Sequence, residues 1–206
     1  MEQKIDMIVN RLPAKTWNRL SVNQAEIKNL EADGWQRPAV TVRYPKDEKP
    51  IVRELTTEQE SSVYKKMEQI RTGMGAEVSR LKPGDATDIC VETAEEGGES
   101  DERRERMRRD EVVLVLDYPD RKNCFQDVKI YAKAGESATV WTVVSSKKDA
   151  EGKAVLRTLL QAEENAKIRL VQVDLLGDRM ELFNDIGVES GKQAQIEVVQ
   201  LFLGAE

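Results

Sequence analysis

The sequence contains no histidine and only two cysteines in 206 residues, and these absences exclude several kinds of chemistry. Without histidine there is no Ser-His-Asp or Cys-His nucleophile system, no imidazole ligand for a metal, and no example of the most common general base. The cysteines, Cys90 and Cys124, form no Cys-x-x-Cys pair that would indicate zinc or cluster ligation. No other group of residues has the pattern of a catalytic site or a metal site, so we expect a protein that is not an enzyme.

Long apolar runs are also missing. No stretch approaches the roughly 18 consecutive apolar residues of a membrane span, and the start, Met1-Glu-Gln-Lys-Ile-Asp6, lacks the apolar run of a signal peptide. The sequence therefore predicts a cytoplasmic protein whose thiols are free. Charged residues make up 34% of the chain, and the net charge of −6 argues against binding to nucleic acid or to a membrane surface.

What the sequence does contain is an internal repeat within residues 110–206. Its alanines at positions 138, 166 and 194 are 28 residues apart, which predicts that Ala138, Ala166 and Ala194 lie above one another in a solenoid. The aligned segments are Glu136-Ser-Ala-Thr-Val-Trp-Thr-Val-Val144, Glu164-Asn-Ala-Lys-Ile-Arg-Leu-Val-Gln172 and Lys192-Gln-Ala-Gln-Ile-Glu-Val-Val-Gln200.

Each repeat consists of two short runs rich in β-branched residues, separated by turn residues. The middle repeat has Val155–Gln161 and Ala166–Leu175, and the last has Asn184–Glu189 and Ala194–Leu203. No repeat has room for a crossover helix in addition to its strands. Two strands per repeat, stacked repeat on repeat, predict a parallel β-helix. An antiparallel sandwich with a chance period is the alternative interpretation.

The apolar residues change phase within the second strand of each repeat. Ile168 and Leu170 are followed by Val171 and Val173, which predicts a bulge or bend that re-aims the inward face. The acidic residues of the repeats are predicted to lie mostly at turns or to face solvent: Glu136, Glu164, Asp174, Glu189 and Glu197.

Residues 1–91 are predicted to form a helical amino-terminal region with a short strand excursion. Apolar residues at helical spacing predict one helix that ends at Pro13, and a second helix is expected from Asn23 toward Gly34. Residues 36–55 alternate apolar and polar side chains, and their prolines predict an edge strand. The first helix is inferred from Met1, Ile5, Ile8 and Leu12.

The clearest amphipathic helix follows Thr57-Glu-Gln-Glu60, which has the pattern of a capping box. We expect this helix to break at Gly73 and Gly75 because glycine disfavours a helix interior. Residues 92–109 carry mixed charges and a Gly-Gly pair, and they are predicted to be a solvated linker or a binding arm for a charged partner. The apolar stripe of the helix is Val63, Met67, Ile70, Met74, Val78 and Leu81.

Cys124 follows a turn sequence, Tyr118-Pro-Asp-Arg-Lys-Asn123, at the entry to a predicted strand. Free cysteines are most often small buried hydrophobes, and this is the favoured interpretation. A thiol that handles sulfur is the functional alternative, which makes Cys124 a weak candidate for contact with a cofactor. Cys90 is a weaker candidate than Cys124 for a thiol that handles sulfur.

Four segments of the chain carry a family resemblance: Leu159-Leu-Gln-Ala-Glu-Glu-Asn-Ala-Lys-Ile-Arg-Leu-Val-Gln-Val-Asp-Leu-Leu-Gly177, Asn184-Asp-Ile-Gly187, Val199-Gln-Leu-Phe-Leu-Gly-Ala205 and Asn10-Arg-Leu-Pro-Ala-Lys-Thr-Trp-Asn18-Arg-Leu20. They resemble the SufB/SufD family, the scaffold proteins of the SUF iron–sulfur cluster assembly system, and the last of them is similar to SufD-like chains. The resemblance is specific in residues 107–206 and weaker before them.

The resemblance implies a right-handed parallel β-helix preceded by a helical region. Members of the family pair through their β-helices, dock the ATPase SufC through carboxy-terminal helices, and build clusters from iron and from sulfur delivered by a cysteine desulfurase. The implied role is a scaffold component that pairs with a SufB- or SufD-like protein, with a transient iron–sulfur cluster in the full complex.

The sequence departs from the family because it stops while the repeat is still running, as an amino-terminal fragment or a short family member would. The SufC-docking helices and the later Cys, His and Glu positions of the family have no counterpart here, so none of those roles is carried over. An uncapped last coil would expose strand edges to a partner or to a second copy in a homodimer. The expected interface residues are Ile196, Val198, Val199, Leu201 and Phe202.

Two other functions fit a β-helix. One is an enzyme that acts on polysaccharides, which would need clustered carboxylates or basic residues in a groove, and usually export. The other is a structural β-solenoid that assembles with copies of itself.

Overall fold

Two five-stranded sheets form the body of the molecule and enclose a common hydrophobic core. The structure is a computed structural model, and it describes residues 4–10, 25–43, 51–93 and 111–204. The first sheet has the order β4-β5-β7-β9-β11 and the second has the order β3-β6-β8-β10-β12. The strands are β1 (Lys4–Val9), β2 (Ala25–Glu31), β3 (Ala39–Arg43), β4 (Ile51–Leu55), β5 (Asp88–Glu92), β6 (Glu111–Asp117), β7 (Cys124–Ala132), β8 (Ser137–Ser145), β9 (Glu151–Ala162), β10 (Lys167–Leu175), β11 (Arg179–Ser190) and β12 (Gln195–Phe202).

Strands β5 to β12 confirm the predicted parallel β-helix. The chain alternates between the two sheets, so that β7 and β8 make one coil, β9 and β10 the next, and β11 and β12 the last. Each strand pairs in parallel with its equivalent in the neighbouring coil. Inward-facing side chains from both sheets meet in one core, which includes Leu114, Val140, Ile130 and Leu160.

The repeat length is not constant, and the predicted alanine column is therefore wrong at Ala138. Ala138 pairs with Ile168, an offset of 30 residues, whereas Ile168 pairs with Ile196 at an offset of 28. The reason is the turn between Ser145 and Glu151, which is two residues longer than the turn between Leu175 and Arg179. Glu136 occupies the position that the sequence assigned to Ala138. Its carbonyl accepts a hydrogen bond from the Lys167 amide at 2.8 Å, as the carbonyl of Ala166 accepts one from the Gln195 amide at 2.9 Å.

The corners between β7 and β8, β9 and β10, and β11 and β12 share one backbone conformation. Each has a residue with positive φ at the same place: Gly135 at 77°, Asn165 at 59° and Gln193 at 57°. Glycine adopts this left-handed conformation freely, asparagine tolerates it, and glutamine does so at a cost. The spacing of these corner residues shows the same change from 30 to 28 residues.

The predicted change of phase within β10 does not occur. The pairing of β10 with β8 and β12 continues without a register shift, so Gln172 and Asp174 stay on the inward row that begins with Ile168 and Leu170. Both polar side chains are fully buried. The sequence suggested a bulge because these two inward positions are polar, and the prediction that Asp174 faces solvent is wrong for the same reason.

The predicted amino-terminal helices are wrong wherever the structure describes them. Residues 4–9 form β1, whose alternate side chains Ile5, Met7 and Val9 are buried, and β1 pairs with β2 in an antiparallel hairpin. The apolar residues in this stretch fit a period of two as well as a helical period, and the outer face of β7 and β9 decides between them by offering Phe125 and Val155 as packing partners. The parts of these predictions within residues 1–3 and 11–24 lie outside the described residues.

The predicted edge strand in residues 36–55 is two strands. β3 pairs antiparallel with β6 and β4 pairs antiparallel with β5, so that each sits at the end of one sheet. The amphipathic helix is also two elements, an α-helix α1 (Ser62–Met67) and a 3₁₀ helix (Gly75–Leu81). The helix is interrupted as expected, but α1 ends before Gly73, and Gly75 begins the 3₁₀ helix. The capping-box prediction is wrong, because Ser61 precedes α1 and Glu60 is engaged elsewhere.

Residues 92–109 are predicted to be a charged linker. Because residues 94–109 lie outside the described residues, this stays a prediction. Within the ranges given above, no helix has the length and apolar character needed to cross a bilayer.

Candidate functional site

The last coil of the β-helix has a free edge in each sheet. β12 pairs with β10 on one side and β11 pairs with β9 on one side, and within the described residues no strand lies on the opposite side of either. Gln195 and Leu203 donate their amide hydrogens to carbonyls of the β10 coil at 2.9 Å. Because bonding in a parallel strand alternates from residue to residue, the amides of Ile196, Val198 and Phe202 point to the free edge.

The five predicted interface residues are divided between two faces of β12. Ile196, Val198 and Phe202 continue the inward row of β10, because Ile196 pairs with Ile168, Val198 with Leu170 and Phe202 with Asp174. Val199 and Leu201 lie on the outer face of the same strand. The structure thus brings all five to one end of the molecule, and the exposed fractions of Val198, Leu201 and Phe202 are 38%, 47% and 58%.

Exposed apolar side chains concentrate at one corner of this end. Leu201, Phe202 and Leu203 follow one another, and the amide of Leu203 bonds to the carbonyl of Asp174, which places Leu175 beside them. Leu175 is 44% and Leu203 is 71% exposed. Contiguous exposed apolar residues are typical of surfaces that bind another protein.

The interior of the β-helix becomes polar near this end. Thr142 pairs with Gln172, and the Gln172 side chain donates a hydrogen bond to Asp174 at 3.1 Å. Burial raises the pKa of Asp174, and the bond from Gln172 only partly offsets the shift. Gln200 pairs with Gln172 in the last coil, so a column of polar side chains leads from the core to the free end.

Both thiols are fully buried. Cys124 is an inward residue of β7 packed within the β-helix core, as the favoured interpretation of the sequence expected, and burial raises the pKa of its thiol to about 11. Cys90 lies on the outer face of β5 against Tyr64 and Met67 of α1. Burial and the nearby negative charge of Glu60 raise the pKa of Cys90 to about 12. Neither thiol is nucleophilic at neutral pH in this state.

A buried ionic network covers part of the outer face of the first sheet, beside Cys90. Lys129 of β7 lies at its centre, and its ammonium nitrogen is 2.7 Å from Glu60, 2.6 Å from Glu68 and 2.8 Å from Asp88. The Lys129 side chain is 0% exposed. The buried ionic network consists of Glu60, Glu68, Lys82, Asp88, Asp127, Lys129 and Arg157.

The other two cations of the network, Arg157 and Lys82, link the strands of the first sheet to the two helical elements. Arg157 of β9 donates two hydrogen bonds to Asp127 at 2.6 and 2.7 Å and one to Glu68 of the segment after α1 at 2.8 Å. Lys82, just after the 3₁₀ helix, lies 2.5 Å from Asp88 and 3.1 Å from Asp127. Arg157 therefore anchors the end of α1 to the sheet, and Asp88 and Asp127 anchor the end of the 3₁₀ helix.

The protonation of the network follows from burial and charge. Burial and the adjacent Asp88 carboxyl raise the pKa of Glu60 to about 7, against the opposing effect of Lys129. Burial alone would raise the pKa of Asp88, but its bonds to Glu60, Lys129 and Lys82 lower it. Burial alone would lower the pKa of Lys129, but the carboxylates around it raise it. Burial also raises the pKa of Asp127, but both of its oxygens accept hydrogen bonds from Arg157. Within the described residues, one oxygen of Glu60 is buried without a donor, so Glu60 is the member that takes up a proton.

Carboxylate oxygens of Glu60, Glu68 and Asp88 lie within 4.8 Å of one another, a spacing that could suit a metal ion. The Lys129 ammonium already contacts all three carboxylates and supplies the positive charge that an ion would bring. The arrangement is a salt-bridged anchor of the helical segment.

Sequence reasoning missed this network. Lys129 stands between Val128 and Ile130, and Arg157 between Leu156 and Thr158, in strands that are buried on both faces. A charged residue within such a strand indicates an ionic partner on a covering element. The partners could not be identified from sequence, because Glu60 is 69 positions away from Lys129.

Comparisons of the chain with protein-family models, with curated proteins and with solved structures found no match.

Proposed function

We propose that this protein is a scaffold component that joins another β-helix through the free edges of β11 and β12, and that the assembly it serves is SUF-type iron–sulfur cluster assembly. The observation that carries the proposal is the last coil, where unpaired edges lie beside exposed apolar side chains, Val198, Leu201 and Phe202. Such an edge is a template for pairing with another strand. The assignment to the SUF system is supported by the sequence resemblance alone.

The proposed partner is a SufB- or SufD-like protein that offers a complementary edge. Backbone pairing would supply the hydrogen bonds, and the apolar end of the core would be buried against the partner. The Gln200 side chain would meet a polar residue there, since an amide buried without a partner costs free energy. A SufC-like ATPase is proposed to join the complex through this partner.

The test is co-purification of the full tagged chain with SufB- and SufC-like proteins of the same cell, followed by size-exclusion chromatography. We expect a stable complex with the SufB-like protein, which retains SufC only when that protein is present. Val198→Pro should weaken the complex at least tenfold, because it removes an amide that points to the free edge and leaves the bonds to β10 in place.

Val198→Ala is the matched control, since it shortens the same side chain and keeps the amide. Proline should therefore cost much more binding than alanine. A complex that tolerates Val198→Pro as well as Val198→Ala would contradict edge pairing. Failure to bind either SUF protein, together with a homodimer sensitive to Val198→Pro, would replace the SUF assignment with self-assembly.

A further inference from the structure

Residues 56–83 form a cover over the outer face of the first sheet, and we call them the cover segment. Tyr64 and Met67 of α1 pack against Cys90, Tyr131 and Leu159. Further along the segment, Met74, Val78 and Leu81 pack against Phe125 and Val155. The buried ionic network joins the same segment to the same sheet.

The cover segment has little local stability of its own. α1 has six residues and the other helical element is a 3₁₀ helix of seven, and helices this short are unstable unless they are packed. Its attachment therefore depends on tertiary contacts, and segments of this kind are the ones that open locally while the rest of a domain stays folded.

The network carries a surplus of negative charge if every member is ionised. Its carboxylates are Glu60, Glu68, Asp88 and Asp127, whereas its cations are Lys82, Lys129 and Arg157. Glu68 lies at the solvent edge with its side chain 31% exposed, whereas the adjoining Glu60 and Asp88 side chains are 0% and 1% exposed. In the part of the chain that the structure describes, one carboxylate oxygen of Glu60 is buried without a hydrogen-bond donor. A proton shared between Glu60 and Asp88 supplies that donor and removes the repulsion between the two buried charges. Docking of the cover segment therefore favours uptake of one proton.

We propose that the cover segment is a proton-dependent latch, closed when Glu60 and Asp88 share a proton and released as that proton is lost, and that its release exposes Cys90. Glu60 holds the proton because of what surrounds it. Within the described residues, it faces Lys129 from β7, Asp88 and Cys90 from β5, and Glu68 from its own segment.

The direction of the effect follows from the pKa of Glu60, which burial and Asp88 raise to about 7 from its ordinary 4.5. A raised carboxyl pKa means that the closed state binds more protons than the open state between these two values. The closed state is therefore favoured fully below about pH 4.5, and this advantage is lost as the pH rises through about 7. The open fraction should increase about 40-fold in total between pH 5 and 7 and level off above that.

The two thiols make the latch measurable. Cys90 lies beneath α1, so opening of the cover segment suffices to expose it. Cys124 lies inside the β-helix core, so its exposure requires the coils themselves to open. Each thiol can be followed alone in the Cys124→Ser or Cys90→Ser variant.

The experiment measures labelling of each thiol by 4,4′-dithiodipyridine from pH 5 to 8.5, with every rate divided by the rate of the denatured chain at the same pH. We expect the normalised rate for Cys90 to rise about 40-fold between pH 5 and 7. The normalised rate for Cys124 should lie far below that for Cys90 at every pH, because it requires the coils to open in addition to the cover segment. Glu60→Gln, which keeps a neutral group, should hold Cys90 at its low-pH rate throughout. Glu77→Gln changes an exposed carboxyl of the same segment and should leave the wild-type profile.

A Cys90 profile that stays flat, or that rises equally in Glu60→Gln, would overturn the proposal. Equal normalised rates for Cys90 and Cys124 would also overturn it, because both thiols would then report opening of the whole fold. If Glu60→Gln does not fold, hydrogen exchange of the wild-type chain decides the question. Faster exchange in residues 62–81 at pH 7.5 than at pH 5.5, after correction for intrinsic rates, supports the latch, and equal exchange contradicts it.

Discussion

At the scale of single residues, the feature that sets this protein apart from a simple repeat is Lys129. A fully buried ammonium is tolerated because Glu60, Glu68 and Asp88 surround it within 2.8 Å. Buried ion pairs need not stabilise a fold overall, since burying the charges is itself costly. Removing one partner is a different matter, because the remaining charges stay buried.

Lys129→Met tests this argument. It keeps the apolar stem and removes the charge, so three carboxylates lose their common partner, and we expect a loss of about 3–5 kcal/mol in the free energy of unfolding at pH 7. The loss should be smaller at pH 5, where the carboxylates take up protons more readily. Urea unfolding monitored by circular dichroism measures both values.

Lys153→Met is the control for that measurement. Lys153 pairs with Glu181 at 3.3 Å across two neighbouring strands, but the side chains are 35% and 59% exposed. Exposed pairs contribute about 0–1 kcal/mol. Equal effects of the two substitutions would show that the surroundings of Lys129 do not matter, contrary to the structure.

At the scale of elements, the turns between strands determine how the coils stack. Two glycines serve this purpose for different reasons. Gly135 has a φ of 77° and open space around it, whereas a Cβ at Gly177 would lie 2.3 Å from the carbonyl oxygen of Lys147. Gly135 is needed for its backbone conformation, and Gly177 is needed because the backbones of two neighbouring turns approach closely there.

Alanine at each position separates these roles. Gly135→Ala should cost about 1 kcal/mol through left-handed strain alone, and Gly135→Asn should recover part of it. Gly177→Ala should cost more, about 2–4 kcal/mol, because the backbone of the neighbouring turn must move. Thermal unfolding of the three variants gives the order, and a Gly135→Ala cost as large as that of Gly177→Ala would contradict the distinction.

The bounds of the strands and helices show which features of the fold could be predicted from the sequence. The turns and strands of the last two coils lie close to where the alternation of apolar residues placed them. The glycines indicated that the amphipathic helix is interrupted, although α1 ends earlier, at Met67. The column of alanines was misplaced by two residues at Ala138. A shift of two preserves which side chains face inward, so the apolar pattern cannot reveal it.

At the scale of the whole molecule, the core is apolar in its first coils and polar toward its free end. Gln172 and Asp174 are buried beside Thr142 and Val144 of the preceding coil. Burial raises the pKa of Asp174, so its charged form opposes folding near neutral pH. The polar column formed by Thr142, Gln172 and Gln200, with Asp174 beside it, therefore lowers the free energy of unfolding of the isolated protein, next to the proposed interface.

Replacing the pair together should therefore stabilise the isolated protein. We expect Gln172→Leu with Asp174→Val to raise the free energy of unfolding by about 1–3 kcal/mol at pH 7, since both polar partners are removed at once. Asp174→Val alone should gain less, because the Gln172 amide then lacks its acceptor. The gain should shrink toward pH 4, where the raised pKa lets Asp174 fold uncharged.

A double-mutant cycle in urea at pH 4 and pH 7 measures these differences. Loss of stability in the double variant would show that the polar column supports the fold. Co-purification of the same variants with the SufB-like protein would then show whether the polar column also contributes to binding of the partner.

The sequence by itself determined that the second half of this chain winds into a parallel β-helix, because alternation and turn residues are local properties that repeat. Only the tertiary structure decided the offset between coils, the strands β1 and β2, the inward direction of Asp174 and the partners of Lys129. These depend on contacts between residues far apart in the chain, and an alternating pattern carries no information about which distant strand or carboxylate will lie beside it. The turn between Ser145 and Glu151 shows the limit most clearly, since two additional residues there shift the pairing of β7 with β9 and of β8 with β10 and leave the apolar pattern unchanged.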